Sequence, residues 1–523
     1  MKRTRWIALL LVFLLLGGCA APAEAESEAE SQTETTDAAE TQEAEADTAE
    51  PEAVKPFSLA WETDKGFNPY SCTVLSNRTV LSLLYEPLFT VDSAFQASPY
   101  LCESMTSSGD GRTHTLTLRQ GVTFSDGTAL TAADVVASIN AARSGAYYGS
   151  RLSMITSVAA SSDTTVTITT DSACGTLASL LNIYVVQSAT VGETAPVGTG
   201  PYRFDGTQLV RADWWRDETP AVEEETIALV AVTTAAEIRD QFEYGNITVA
   251  CVDPNSGQQL TYHTDYELWN NNTTILQYLG FNLSSPVFVY SSLRNAVTRA
   301  LDRDAIVSDT AGGFGAAAVL PASPYSARYD QNLAANYGYD LEAYQAILAA
   351  SDVADHTGGD SILEVFTEDG TQSLTGTLIV SDTSDQRVAA ANAVAAALNA
   401  QGFSLTVEAL EYDDYVTALQ NGNYDLYYGE VRLSPDFDLS VFFGENAALG
   451  YGGITDSALA LLCAQARENE GNAYNLYEKV MERGVLCPVL FKTYAVYSQR
   501  GRVTGLTPCL DGVFLQPIPE KRQ

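Results

Sequence analysis

The chain has 523 residues, 46% of them hydrophobic, and a formal net charge of −38 at pH 7. This length exceeds what one ordinary core holds, so we expect two or three globular domains. The acidic excess argues against a nucleic-acid-binding protein and against electrostatic adhesion to anionic lipid, because both of those partners attract Lys and Arg.

The first predicted element is a secretory signal at residues 1–18. Its apolar run, residues 6–16, follows three basic residues and is shorter than the roughly 20 apolar residues that span a membrane. The run ends in LGGC, which resembles the lipobox of bacterial lipoproteins. That resemblance implies cleavage before Cys19 and attachment of lipid to this cysteine, which then holds the protein at a membrane.

An acidic segment follows at residues 19–54. From residue 20 onward it contains twelve Asp or Glu residues, no Lys or Arg, and no aromatic residue. Such a segment buries too little apolar surface to offset the entropy of ordering, and its like charges repel one another. We therefore predict a disordered tether between the lipid and a folded body that begins near Lys55.

The first part of the body mixes predicted strands with a helix. Alternation of apolar and polar residues predicts strands at 114–118 and at 164–170. Between them, TAADVVASINAAR predicts a helix with Thr131 as its N-cap and Asp134 in its first turn. GTGP at 198–201 predicts a tight turn, because glycine permits a sharp bend and proline fixes φ.

The second part of the body shows longer helical patterns. Residues 292–307 predict one amphipathic helix, with Arg303 and its acidic neighbours on the solvated face. SILEVFT and GTLIVSD predict strands, and residues 384–410 predict a helix that stops at Gly402 and leads into another strand. This order favours a parallel sheet joined by crossover helices.

The cysteines and histidines give little indication of chemistry. Seven cysteines follow Cys19, so at least one stays unpaired; spacing does not define the pairs, and Cys487–Cys509 is our first candidate. The three histidines are far apart in sequence, so we expect no histidine-built metal site and no cofactor.

No familiar catalytic signature is present. The sequence contains no GxSxG elbow, Walker P-loop, HExxH helix or GxGxxG loop, so we expect no enzyme. A hydrolase that uses two carboxylates meeting only in space is kept as a third alternative, since sequence does not reveal such a pair.

Six stretches occur in a fixed order: Asn68-Pro69, LLYEPLF (83–89), LTLRQGVTFSDGTALTAADVVASI (116–139), PVGTGPYRF (196–204), ALDRDAIV (300–307) and GNYDLYYGEV (422–431). In this order they resemble the extracellular solute-binding proteins of family 5. These are the receptors of ABC importers for oligopeptides, dipeptides, nickel complexes and some sugars or opines. The resemblance covers nearly all of the chain after residue 55, and LRQGVTFSDGTALTAADV and VGTGPY are its most specific parts.

The resemblance implies an α/β fold of the two-lobed periplasmic-binding-protein type, with mixed sheets, an extra inserted domain and a hinge between the lobes. We place lobe I at 55–84, 173–275 and 490–523, the extra domain at 85–172, and lobe II at 276–489. Hinge closure on a ligand that bridges both lobes is the expected motion, and VGTGPY is expected to shape the edge of the cleft.

The resemblance also implies ligand contacts. In peptide-binding members the ligand backbone pairs like an added strand, and side chains lie in roomy, hydrated pockets. The corresponding residues here are Thr73, Val74 and Leu75, then Tyr147 or Tyr148, whose phenols can stack on a ligand or form hydrogen bonds with it.

The segment after NYDLYYG departs from the family pattern. Peptide binders commonly have a Trp followed by an Asp, and that Asp binds the amino terminus of the peptide. In this sequence the corresponding positions hold Val431 and Ser434. Asp436 matches the Asp position only if the alignment is shifted by two residues. Arg432 is a new feature, and its guanidinium suits a carboxylate, either of a ligand or of Glu430 or Asp436. We predict ligand contacts at all five of these positions.

The function implied by the resemblance is a lipid-anchored, extracytoplasmic substrate-binding protein, expected to be a monomer. It would deliver peptides or similar small polar solutes to an ABC permease and its ATPase. A ligand sensor or a cell-wall-peptide scavenger with the same fold is the alternative, and a nickel complex stays open as a ligand.

Overall fold

The computed structural model describes residues 55–256, 262–356, 358–367, 370–444 and 446–518. The predicted signal, Cys19 and the acidic tether lie outside these residues. Across these ranges, every helix is too short or too polar to cross a lipid bilayer.

The strands of the described residues fall into one large sheet and several small ones. Their bounds are β1 (Ser58–Trp61), β2 (Glu86–Pro87), β3 (Phe89–Val91), β4 (Ala97–Pro99), β5 (Cys102–Ser107), β6 (Thr113–Leu118), β7 (Ile155–Ser162), β8 (Thr165–Thr170), β9 (Tyr184–Val185), β10 (Tyr202–Phe204), β11 (Gln208–Arg211), β12 (Thr226–Ala231), β13 (Val249–Val252), β14 (Tyr266–Phe281), β15 (Gly315–Ala317), β16 (Val353–Ala354), β17 (Glu364–Thr367), β18 (Gly370–Ser373), β19 (Thr375–Ser381), β20 (Ser404–Leu410), β21 (Leu426–Arg432) and β22 (Leu486–Gln499).

The described residues also form α-helices. Their bounds are α1 (Leu75–Leu84), α2 (Ala132–Ser144), α3 (Leu177–Leu180), α4 (Ala235–Glu243), α5 (Ser291–Ala300), α6 (Arg303–Ala311), α7 (Gln331–Ala335), α8 (Leu341–Ala350), α9 (Asp385–Asn399), α10 (Tyr412–Asn421), α11 (Ser440–Phe443), α12 (Ser457–Glu468) and α13 (Ala473–Arg483). Within the described ranges, four 3₁₀ turns add Ser150–Leu152, Ser188–Thr190, Tyr451–Gly453 and Glu470–Asn472.

The large sheet is mixed and runs through most of the body. Its strand order is β10-β11-β12-β1-β13-β22-β14-β21-β19-β20, with β15 attached to β22. At its centre β14 and β22 pair antiparallel over most of their length, and their register shifts between Asn272 and Leu276 and again between Gln277 and Tyr278. A register shift in a long strand pair bends it locally, so the centre of the sheet is not a regular ladder.

The sheet is buried on both faces where β14, β21 and β19 run side by side. On β21, Tyr427 belongs to one apolar core, whereas Leu426 and Tyr428 belong to another. Because successive side chains of a strand point to opposite faces, the two cores lie on opposite sides of this part of the sheet. A third and larger core combines α1 and α2 with the separate four-stranded sheet β5-β6-β8-β7.

Several sequence predictions are confirmed by the structure. Helix α2 begins after Thr131, whose side chain and that of Asp134 form the two halves of a capping box. Strands β6 and β8 cover the two alternating segments. Strands β19 and β20 are parallel neighbours joined by α9, which ends shortly before Gly402 at φ 95°.

The prediction of one helix over residues 292–307 is wrong. The chain forms α5 and α6 with a break at Leu301, because Asp302 caps the second helix by accepting a hydrogen bond from the amide of Ala305 at 3.0 Å. Arg303 is also not on a solvated face. It is 4% exposed and donates to the carbonyls of Pro488 and Thr298 at 2.8 and 3.0 Å, so it holds α6 against the start of β22.

The cysteines following the tether are all buried as free thiols. The candidate disulfide Cys487–Cys509 is therefore not formed. Cys487 instead lies 3.4 Å from the hydroxyl of Thr298, and Cys509 forms a tight backbone pair with Gly512. These residues behave as small apolar core residues in this structure.

Candidate functional site

Five chain segments meet around two adjoining cavities at the centre of the large sheet. The cavity volumes are about 50 and 30 Å³, and both are lined by Tyr147, Arg432, Leu510 and Asp511. The contributing segments are residues 73–79, 147–151, 271–274, 432–434 and 510–513, together with Cys251 and Tyr494. We call these two cavities together the arginine cleft, because Arg78, Arg151 and Arg432 all line it.

Helix α1 brings the first wall of the cleft into place. Its N-cap, Val74, has extended backbone, and the flanking Thr73 and Leu75 line the cleft. One turn into the helix, Arg78 is 6% exposed and donates to the carbonyls of Cys72 and Pro69 at 3.1 and 3.4 Å. Those hydrogen bonds fold the preceding loop back onto the helix and satisfy part of a buried guanidinium.

The two tyrosines after α2 have different positions. Tyr148 is fully buried and accepts a hydrogen bond from Arg78 at 3.2 Å, and burial raises its pKa to about 12. Tyr147 lines the cleft and donates its phenol proton to Asp511. The Cζ atoms of Arg78 and Arg432 lie 3.3 and 5.2 Å from the Tyr147 ring centroid, so this ring is within cation–π distance of both arginines.

Strand β21 and the residues that follow it form another wall of the cleft. Its pairing with β14 sets Arg432 opposite Ile275, and Arg432 and Ser434 line the cleft. The guanidinium of Arg432 donates to the phenol oxygen of Tyr494 at 3.2 Å. Beyond the strand, the chain continues as LSPDFD, in which Phe437 adopts φ 53° and turns the backbone sharply into the core.

The other residues predicted in this segment lie away from the cleft wall. Val431 packs on an apolar core. Glu430 accepts a hydrogen bond from Gln277 at 2.9 Å and lies 3.6 Å from Lys492, which also binds Asp253. Asp436 is 2% exposed, and its carboxylate accepts hydrogen bonds from the hydroxyls of Thr176 and Ser434 at 2.8 and 2.5 Å.

The structure thus brings together Thr73, Leu75, Tyr147, Arg432 and Ser434, and it places Val74, Tyr148, Glu430, Val431 and Asp436 behind them. Ligand contact by any of these residues stays a prediction.

Among the cleft residues that sequence reasoning missed, four carry a charge or a phenol: Arg78, Arg151, Tyr494 and Asp511. For Arg78 a signal existed, because an arginine in the middle of the apolar helix LSNRTVLSLL is expected to be buried and to bind something. No local pattern marks the other three.

Asp511 is the carboxylate at the centre of the cleft. Its side chain lies 3.8 Å from the guanidinium groups of both Arg78 and Arg151, and each of these three side chains is at least nine-tenths buried. Arg151 also donates to the carbonyl of Asn182, but its Nε atom is buried with no hydrogen-bond partner among the described residues. The cleft therefore holds three guanidinium groups around one carboxylate.

The VGTGPY segment lies at a different cavity of about 350 Å³, beside the end of α1. The chain bends at residues 199–201, as predicted. The glycines also permit close packing, because a Cβ atom on Gly200 would lie 2.6 Å from the carbonyl carbon of Leu84. Its predicted role at the edge of the ligand cleft stays a prediction.

One acidic cluster in the described residues has a spacing that suits a cation. The carboxylate oxygens of Asp355, Asp360 and Glu364 lie within 4.8 Å of one another at the start of β17, and two of the three residues are exposed. Exposed carboxylates commonly gather without a metal, and this cluster is far in sequence from every segment of the cleft.

Comparison with known proteins identifies the family. The profile "Bacterial extracellular solute-binding proteins, family 5 Middle" matches residues 96–447, more than half of the chain. The chain belongs to family 5 of the bacterial extracellular solute-binding proteins. This is a family of non-catalytic substrate-binding proteins of ABC transporters, and it is the family that the sequence motifs predicted.

Among curated family members, the glutathione-binding protein GsiB of Shigella boydii is 28% identical over 290 residues, which are 50% of this chain and 55% of GsiB. The chain thus matches about half the length of that relative. The oligopeptide-binding protein AppA of Bacillus subtilis is 24% identical over 384 residues, which are 69% of each chain.

Solved structures show the same fold. The substrate-binding protein CtaP of Listeria monocytogenes superposes with a TM-score of 0.68 at 18% identity, covering 85% of this chain and 94% of CtaP. AppA of Bacillus subtilis, solved with a nonapeptide, gives a TM-score of 0.58 at 21% identity, covering 85% and 95%. The predicted α/β fold of the periplasmic-binding-protein type is therefore confirmed.

Proposed function

We propose that this chain is the lipid-anchored, extracytoplasmic receptor of an ABC importer and that it binds peptides or similar small polar solutes in the arginine cleft. Family membership supports the receptor role. The observation that carries the choice of site is the convergence of five separate chain segments on these two adjoining cavities. A ligand there would contact all of these segments at once.

Hinge closure is the proposed mechanism, with the two lobes and the extra domain divided as predicted from the sequence. The predicted crossings near residues 275 and 490 fall within β14 and β22, close to the register shift at Asn272–Leu276. Thr273 and Thr274, within that shift, line the cleft and donate their hydroxyls to the carbonyls of Lys492 and Leu433, both at 2.7 Å. A ligand that binds both sides favours the closed state by its differential affinity, and no chemical step is required.

The small cavity volume is consistent with a closed or nearly closed arrangement. About 80 Å³ in total holds several water molecules, since each occupies roughly 10–15 Å³ on this measure. A peptide needs more room, so we propose that the lobes open to admit the ligand and close around it. Closure then presents a surface that the membrane permease, which works with its ATPase, can recognise.

Membrane attachment is proposed through lipid on Cys19. Removing the twelve acidic residues of the tether and the three basic residues of the signal still leaves a net charge of −29 on the body. A body of this charge is repelled by anionic lipid, so the acyl chains have to supply the attachment.

Native mass spectrometry of the full chain, purified gently from its own host in detergent, tests this function. A ladder of bound peptide masses indicates a receptor of broad specificity, and one discrete mass indicates a dedicated solute. A strain that lacks the chain should then lose uptake of that solute. A chain that carries no solute, or a strain with undiminished uptake, contradicts the proposal; the second result favours a sensor or scavenger role.

A further inference from the structure

The arginine cleft has unused hydrogen-bond donors and positive charge, whereas its acidic groups are already engaged. Asp511 faces Arg78 and Arg151 and accepts from Tyr147. Two carboxylates outside the cleft lining, Asp253 and Glu430, both lie against Lys492. The cleft therefore still offers positive charge and hydrogen-bond donors to a ligand.

Two of the three arginines carry this free capacity. Arg432 is exposed to solvent within the cleft and makes one hydrogen bond, to Tyr494, so its remaining donors have no partner in the part of the chain that the structure describes. Arg151 is 9% exposed, and its Nε has no partner in the same ranges. A buried guanidinium nitrogen left without an acceptor costs free energy, so an acceptor brought by a ligand is favoured there.

Arg151 and Arg432 line the same cavity of about 30 Å³, together with Ser434 and Asp511. That volume is room for two or three water molecules, roughly the size of one carboxylate group. Guanidinium groups match the planar, two-oxygen geometry of carboxylates, and the bonds are charge-assisted.

We propose that the ligand of this receptor carries a carboxylate group, and that Arg151 and Arg432 bind it in the cavity beside Asp511. This inference rests on the proposed receptor function and adds the chemical class of the ligand. Arg78 is a positioning residue here, because its donors hold the 69–72 loop and Tyr148, and it adds positive charge from behind Tyr147.

The test is isothermal titration calorimetry of the full chain at pH 7 with matched probes. Trialanine is compared with trialanine amide, and succinate with succinamide, so that each pair differs only in its carboxylates. At least one acid should bind tenfold or more tightly than its amide. Inorganic phosphate is the third probe, because it offers an oxyanion of tetrahedral shape.

Two variants and one control locate the effect. Arg432→Gln and Arg151→Gln should each reduce the acid-to-amide affinity ratio at least fivefold. Arg432 is exposed, so its variant is expected to fold even where Arg151→Gln does not. Arg500→Gln is the control, because Arg500 is 63% exposed and pairs with Asp265 outside the cleft; its ratio should match that of the parent.

Four results would overturn the carboxylate assignment. These are equal affinity for acid and amide, no binding of either acid at millimolar concentration, tighter binding of phosphate than of both acids, or an unchanged acid-to-amide ratio in Arg432→Gln. The first leaves the receptor function intact, since a neutral solute is then bound. The receptor function itself is tested by separate measurements. It fails if no solute co-purifies with the chain, or if a strain that lacks the chain takes up solute normally.

Discussion

Asp511 combines a left-handed backbone, φ 64°, with a carboxylate that faces two arginines. Asp and Asn adopt this backbone region more readily than other side chains that carry a Cβ. The position therefore suits a residue that reverses the chain and at the same time presents an acceptor to the cleft. It also ties the C-terminal segment to α1 through Arg78.

Asp511→Asn should lower the free energy of unfolding by about 3 kcal/mol or more, because removing one partner leaves buried charges uncompensated. Asparagine keeps the backbone conformation, so the loss reports charge rather than strain. Urea unfolding of the full chain measures it. Asp265→Asn is the matched control, with the same 3.8 Å Asp–Arg separation but on the surface, where the change should stay below about 1 kcal/mol.

Glu86 is a buried carboxyl group in a cage of donors. It is 1% exposed and accepts hydrogen bonds from the indoles of Trp215 and Trp214, at 2.6 and 3.2 Å, and from the hydroxyl of Thr199 at 2.8 Å. Burial raises its pKa from 4.5 to about 7, although the hydrogen bonds act in the opposite direction. The group therefore takes up a proton more readily in the folded state than in the unfolded state.

This pKa shift predicts a pH-dependent loss of stability. The contribution is fully present below about pH 4.5 and is lost as the pH rises through 7, because the folded protein then has to bury a charged carboxylate. Over that window the parent should lose on the order of 3 kcal/mol relative to Glu86→Gln. Urea unfolding at pH 4.5, 6 and 8 measures the difference. A difference that does not change with pH, or that matches the exposed Glu408→Gln variant, contradicts this prediction.

At the scale of elements, the end of α1 is fitted against the VGTGPY turn without space for a side chain. Gly200 has an ordinary φ, so its role is to permit close approach, unlike that of the glycines with left-handed backbone. This contact joins the helix that carries Arg78 to the bend before β10. The same helix thus positions one wall of the cleft and packs against a family motif.

Gly200→Ala should destabilise the protein by about 1–3 kcal/mol, the usual cost of overpacking. A Cβ at this position meets backbone atoms of Leu83 and Leu84. Backbone atoms cannot move aside by a change of side-chain rotamer. Thermal unfolding measures the loss. Gly192→Ala is the control, since no atom lies within 4 Å of its Cβ position and its φ is ordinary; an equal shift in both variants would contradict the packing account.

At the scale of the whole molecule, the fold of the body and attachment to the membrane depend on different parts of the chain. The body carries the fold of a solute-binding protein, and its net charge of −29 opposes adhesion to anionic membranes. We propose that attachment depends on one residue, Cys19, outside the described part of the chain.

Cys19→Ala should abolish incorporation of labelled fatty acid and release the chain from the membrane fraction. Metabolic labelling followed by fractionation measures both effects. Ser27→Ala, in the same acidic segment, should behave like the parent. Persistent labelling of the Cys19 variant would contradict the lipobox interpretation.

The family, the fold class and many local elements were predictable from the order of the amino acids alone. The capping box at Thr131 and Asp134 and the β19–α9–β20 unit were predictable because they depend on residues close together in the chain. The same local reasoning failed at residues 292–307, where the periodicity continued across a helix boundary that Asp302 imposes. It also failed for Arg303, which donates to the carbonyl of Pro488 in β22, 185 residues away in the sequence.

The composition of the cleft, in contrast, depends on long-range packing. Arg78, Arg151, Arg432 and Asp511 lie in four distant segments, and no local pattern relates them. The structure likewise placed Asp436 in the core with Thr176, although its neighbours in sequence line the cleft. The physical reason is that local propensities and motifs act over a few residues, whereas the charge balance of a cavity is set by whichever side chains the long-range pairing of strands brings together.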